Sequence, residues 1–173
     1  MFLTLFDFLL FFSPYLYLAS APKINGPDFP FHASHFCWSR REVAHAIAAG
    51  PTEITDQARI MGTDAQGNRI VLREGNNDFI CQPGKPQFVA QPATCYTVNS
   101  KPRITYMLAG ATQRSISDPD DKTSPPLAVG PHWMIMMPFD AKATGLPVTY
   151  NDTGAYIMWA GTHSAHLHIM GRP

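Results

Sequence analysis

Residue types able to do chemistry concentrate in the last third of the chain. His132 opens the run His132-Trp133-Met134-Ile135-Met136-Met137, and His166-Leu167-His168-Ile169-Met170 comes almost at the C-terminus. Both runs read as strands, in which successive side chains point to opposite faces. Alternation then puts His132, Met134 and Met136 on one face, with Trp133, Ile135 and Met137 on the other. By the same rule His166, His168 and Met170 share a face. Two His at i and i+2 stand about 6.6 Å apart along a strand, close enough to hold one ion between them. If the two strands pair, His132, His166, His168 and Met134 converge. Imidazole with thioether suits copper, because soft sulfur selects Cu(I), whereas imidazole alone suits zinc. The structural alternative is that Met fills core gaps and each His is a hydrogen-bonded core residue. A register slip of one residue would send the His groups to opposite faces.

Other combinations are weaker. A metal-free hydrolase would use His132 or His166 as general base beside the acidic run Asp118, Asp120 and Asp121. Ser164, His166 and Asp118 make a triad on paper, but the chain has no G-x-S-x-G, H-E-x-x-H, P-loop or Rossmann glycine run. The acidic run also lacks the order of an EF-hand loop. His32, His35 and Cys37 have metal-like spacing without a fourth ligand. Asn151-Asp152-Thr153 is a formal glycosylation sequon. Trp133, Trp159 and Tyr156 would make an aromatic binding surface if exposed together, or core if not. Cys81 and Cys95 enclose a segment containing Pro83, Gly84, Pro86 and Pro92. In an exported chain that reads as a disulfide, and closing a loop of about 15 residues contributes roughly 3 kcal/mol.

The elements that must position these groups follow from composition and pattern. The chain has 173 residues with 13 basic and 13 acidic side chains, so it lacks the basic surface that nucleic-acid binding needs. Apolar residues make up 45%, which excludes a disordered chain, while 16 Pro and 12 Gly imply many turns. Residues 1–21 form an apolar, signal-like segment ending in Ala19-Ser20-Ala21, although no Lys or Arg precedes the apolar stretch. A retained anchor, the chain's one route to a membrane, and a start placed too far upstream are the other readings. Residues 22–38 read as a linker. The capping box Ser39-Arg40-Arg41-Glu42 predicts a short helix, with Val43, Ala44, Ile47 and Ala48 on its inner face and Gly50-Pro51 as its stop. The period then changes to two from Ile54, and Asp64 to Asn68 turns the chain into a hairpin. Further strands are expected at Phe79–Cys81, Cys95–Val98, Ile104–Leu108, His132–Met137, Ala155–Trp159 and Leu167–Met170, with a long polar loop from Gly110 to Gly130. The expected fold is mostly β: a small β-sandwich or barrel over residues 39–173, with one short N-terminal helix and long loops.

The phrases Gly130-Pro131-His132-Trp133-Met134-Ile135 and Met158-Trp159-Ala160-Gly161-Thr162, continuing to Ala165-His166-Leu167, carry a resemblance. With Ala49-Gly50-Pro51, the strand pair around Gly67 and Asn77-Asp78-Phe79-Ile80-Cys81, the chain resembles a family of small secreted bacterial proteins of uncharacterised function, over about residues 41 to 171. The resemblance implies export, one domain and a Cys81–Cys95 bridge, and brings no known activity or cofactor. His132 and His166 fall within the family's phrases, whereas His163 and His168 stand where other residue types are usual. The expectation is a secreted or periplasmic protein that binds a small ligand or protein partner without catalysis. The alternatives are a His/Met protein for copper or zinc, then a hydrolase.

Overall fold

The computed structural model describes residues 33–85, 87–137 and 139–173, with side chains from Arg40 onward. Helix α1 spans Ala33–Ile47. It starts before the capping box, because residues 33–38, expected as linker, contain no Pro or Gly to break a helix. Its inner face is also rotated from the expected one. Val43, Ala46 and Ile47 pack on the core at i, i+3 and i+4, whereas Ala44 and Ala48 are exposed. The strand expected from Ile54 begins later. Pro51 has φ −61° and its carbonyl accepts from Ile54 and Thr55, giving the single turn α2 (Thr52–Thr55). Backbone donors spent in that turn are lost to a ladder.

Strands β1 (Arg59–Thr63) and β2 (Arg69–Arg73) form the expected hairpin. Its turn is closed by Asp64, whose Oδ1 accepts from the amides of Gln66 and Asn68. β3 (Phe79–Gln82) runs parallel to β1, and β4 (Thr94–Thr97) antiparallel to β3. β5 (Arg103–Met107) follows, and the amide of Leu108 just beyond it bonds to the carbonyl of Ala49, tying the sheet to the end of α1. The stretch expected as a loop from Gly110 to Gly130 contains a two-stranded ribbon, β6 (Ala111–Gln113) with β7 (Leu127–Val129). Three-residue strands without a long alternating run leave little pattern to read. After β8 (His132–Met136) come α3 (Ala141–Thr144), capped by Asp140, then β9 (Ala155–Met158) and β10 (His166–Met170).

The larger sheet has eight strands in the order β2-β1-β3-β4-β5-β8-β10-β9. The strands expected as a sandwich or barrel thus lie in one mixed sheet plus the ribbon. β2 and β9 stand at opposite ends of the order, and no ladder joins them among the described residues. No helix among the described residues is long and apolar enough to cross a membrane.

Register sorts the side chains between two faces. Ile60 stands beside Cys81, Cys81 opposite Cys95, Cys95 opposite Tyr106, and Tyr106 opposite Trp133. These share one face, and α1 covers its β1–β4 end through Ala46. Cys81 and Cys95 form a disulfide there with both residues fully buried, compatible with an oxidising compartment. The other face of β8, β10 and β9 carries a second buried group: Met134, Tyr156 and Met158 with His132, His166 and His168.

Candidate functional site

Antiparallel pairing of β10 with β8 and β9 brings together the residues that alternation assigns to one face. His168 lies opposite Met134 on one side and Tyr156 on the other. His166 lies opposite Met158, and His132 opposite both Met170 and Met107. Every His of this face therefore has a Met directly across a ladder, at a separation where cross-strand side chains touch. Alternation along single strands places Met134, Met136 and Met170 on this face. Met158 and Met107 escaped it, because strand pairing was the missing information.

The rings form a continuous stack. The His132 and His168 centroids are 4.3 Å apart, and His166 meets His168 edge-on at 5.4 Å. Tyr156 meets His168 at 5.0 Å and Trp159 meets His166 at 5.1 Å. His132, His166 and His168 are 0%, 2% and 0% exposed. Trp159 ties down the segment beside them, donating from Nε1 to the carbonyl of Ser115 and from its amide to that of Ile116.

The protonation states follow from burial. Nδ1–H of His132 donates to the Gly130 carbonyl at 2.7 Å, and Nδ1–H of His166 to the Ser164 carbonyl at 2.8 Å. A carbonyl can only accept, so each ring in its neutral form leaves the Nε2 lone pair pointing away. Burial lowers the pKa of both rings against the small upward pull of those bonds. His168 is pushed down to about 2 by burial first, then by the neighbouring His132 and His166. All three are neutral at physiological pH. Nε2 of His132 and His166, both nitrogens of His168 and the Tyr156 hydroxyl are buried without a hydrogen-bond partner among the described residues.

The chain matches no family model, no curated protein and no solved structure. Among the described residues no three His, Cys, Asp or Glu side chains are grouped so as to hold a metal ion. Among the described residues a metal centre on this face would draw on at most two of these imidazoles, with Met thioethers and the Tyr156 oxygen as the neighbouring side-chain donors.

The remaining candidates do not join this group. Trp133 faces the opposite side of the sheet beside Tyr106, at 6.1 Å, and Tyr156 is fully buried, so Trp133, Trp159 and Tyr156 make no common surface. The Nδ1 partner of His166 is the main-chain carbonyl of Ser164, not the Asp118 carboxylate. The acidic run is a set of turns, in which Asp118 and Asp121 accept from the amides of Asp120, Thr123 and Ser124. His32 and the side chains of His35 and Cys37 lie outside the described residues, as does the 1–21 segment.

Proposed function

We propose that this chain is a Cu(I)-binding protein working outside the cytoplasm, with His168, His132 and Met134 as the core of its site and His166 with Met158 beside them. One observation carries the reading: four buried imidazole nitrogens lack partners among the described residues, and each ring faces a methionine across the sheet. An unpartnered buried polar group costs about 1–3 kcal/mol, so such a cluster asks for an occupant. Two neutral nitrogens with thioether sulfur make a soft, uncharged donor set that favours Cu(I). Zinc prefers four ligands drawn from His, Cys and carboxylate, which the grouping of side chains among the described residues does not offer. The signal-like N-terminal segment, the resemblance to secreted proteins and the disulfide all support export.

The test is an anaerobic titration of the full chain with Cu(I) against a chromophoric chelator, alongside His168→Ala and Met134→Leu. Near-stoichiometric uptake that weakens about tenfold or more in both variants supports the reading. No uptake, or uptake indifferent to both changes, overturns it.

A second observation favours a small-ligand reading that does not involve metal. A cavity of about 480 Å³ lies between α1 and the β6–β7 ribbon, lined by His45, Phe88, Ala93, Ala111, Val129 and Pro131 among others, with no carboxylate or cationic Lys or Arg among the described residues of its wall. That volume and lining suit a small uncharged apolar molecule. Displacement of an apolar fluorescent dye, lost in Ala93→Trp, tests it.

A further inference from the structure

The three His rings are sealed from solvent, so an ion that reaches them needs a route. Strand β8 supplies one. Met136, Met134 and His132 follow each other at i, i+2 on the His-bearing face, about 6.6 Å apart from one to the next. Their exposures are 37%, 4% and 0%, a gradient from solvent to interior along one strand. Met134, the middle step, stands opposite His168.

We infer that Met136 is the surface docking point from which Cu(I) passes to Met134 and then to the His168–His132 pair. This rests on the Cu(I) reading above. Each step exchanges one neutral soft donor for another, so no charge is created or moved in the interior apart from that of the ion itself. The same surroundings suggest the donor. Met136 lines a cavity with Val98, Lys101, Pro102, Arg103 and Met137, and among the described residues its lining holds two cations and no carboxylate. A positive mouth favours an anionic Cu(I) complex over a bare cation. The column's other end, where Met107 and Met170 flank His132, is the competing route.

A gate differs from a ligand by microscopic reversibility. It changes loading and release by the same factor and leaves their ratio, the affinity, unchanged. The experiment follows transfer of Cu(I) between the anionic bicinchoninate complex and the full chain by stopped-flow absorbance, in both directions. Met136→Leu is expected to slow loading and release alike, by about tenfold, with Kd unchanged. Met61→Leu, at a part-buried methionine of β1 with three strands between it and β8, is expected to change neither. Met134→Leu reports on the site itself by weakening Kd. If Met134→Leu weakens Kd while Met136→Leu leaves both rates as in the parent, the route is wrong and the site stands. Slowing confined to Met170→Leu places loading at the other end and likewise overturns it. A parent chain that takes up no Cu(I) overturns site and route together.

Discussion

Met134 and His168 stand directly opposite each other in the β8–β10 ladder, both buried, with the two ring nitrogens of His168 unpartnered among the described residues. The pairing has two separable consequences. A thioether beside an imidazole lets the histidine be stored neutral in an apolar interior, because sulfur is polarisable and makes favourable ring contacts. It also places a soft donor beside a nitrogen donor, which a leucine of the same bulk would not do.

Exchanging that sulfur for carbon should separate stability from binding. Met134→Leu conserves volume and is expected to cost less than about 1.5 kcal/mol in stability, while copper affinity falls. His168→Leu goes further: it replaces two unpartnered polar atoms by apolar ones. The metal-free variant is expected to be more stable than the parent by about 1 kcal/mol. Urea unfolding in the presence of a chelator measures both. A His168→Leu variant several kcal/mol less stable would mean that the ring is a satisfied structural residue.

The buried rings also set a pH window. His132, His166 and His168 have folded pKa values below the ordinary 6.5, chiefly through burial. Below 6.5 the unfolded chain binds protons that the folded chain refuses, so stability is complete above that value and falls as pH drops beneath it. Each ring contributes a slope of up to about 1.4 kcal/mol per pH unit until its folded value is reached. Asp64 and Asp78, held below 3.8 mainly by hydrogen bonds from Asn68 and Ser100, lose their contributions only at lower pH. Glu42, raised from 4.5 by burial, acts in the opposite sense near its own value. Unfolding of metal-free protein between pH 6.5 and 5 therefore reads the histidines against the smaller, opposite contribution of Glu42. The expected result is a steady loss of stability that flattens in the His132→Phe/His166→Phe/His168→Phe variant.

The face that carries the site was readable because alternation needs only a strand and its start, and β8 and β10 are rich in apolar residues. What joins the two strands was not readable. Neighbouring β5, β8, β10 and β9 are not in chain order, and the β6–β7 ribbon intervenes. Met158 and Met107 entered the site through that pairing alone. The hairpin at Asp64–Asn68 was legible from its turn residues, and the helix phase was not: Val43-Ala44 and Ile47-Ala48 offer two apolar stripes, and only contact with the Cys81–Cys95 core chooses Ala46 over Ala44. The eight-stranded mixed sheet with its separate ribbon was likewise not legible, since short alternating strands suit several arrangements.

Removing the disulfide should be costly and hard to do chemically. Cys81 and Cys95 are separated by 14 positions and fully buried against α1. In the chain-entropy account a loop of that size contributes about 3 kcal/mol. Cys81→Ala/Cys95→Ala is expected to unfold at a urea midpoint lower by a corresponding amount. The native protein should resist dithiothreitol until urea opens it, which thiol labelling over time reads directly. Rapid labelling without urea would show that α1 does not protect the bond.

Two glycines with left-handed backbone distinguish conformational strain from steric exclusion. Gly67 has φ +87° in the β1–β2 turn, and a Cβ there would meet no atom within 4 Å. Gly67→Ala should therefore cost only the left-handed penalty, about 1 kcal/mol. Gly84 has φ +63° within the disulfide loop, and a Cβ there would fall onto the main chain of Gln91 and Pro92. Backbone cannot swing aside as a side chain does, so Gly84→Ala must move the segment leading into β4 and Cys95. Its cost is expected at about 3 kcal/mol or more. Because the disulfide crosslinks the two sides of that loop, the excess should shrink once Cys81 and Cys95 are replaced and the segment can relax. A double-mutant cycle by urea unfolding measures that coupling. Equal costs at Gly67 and Gly84 would mean that the close approach of Gly84 to Pro92 is not held in solution.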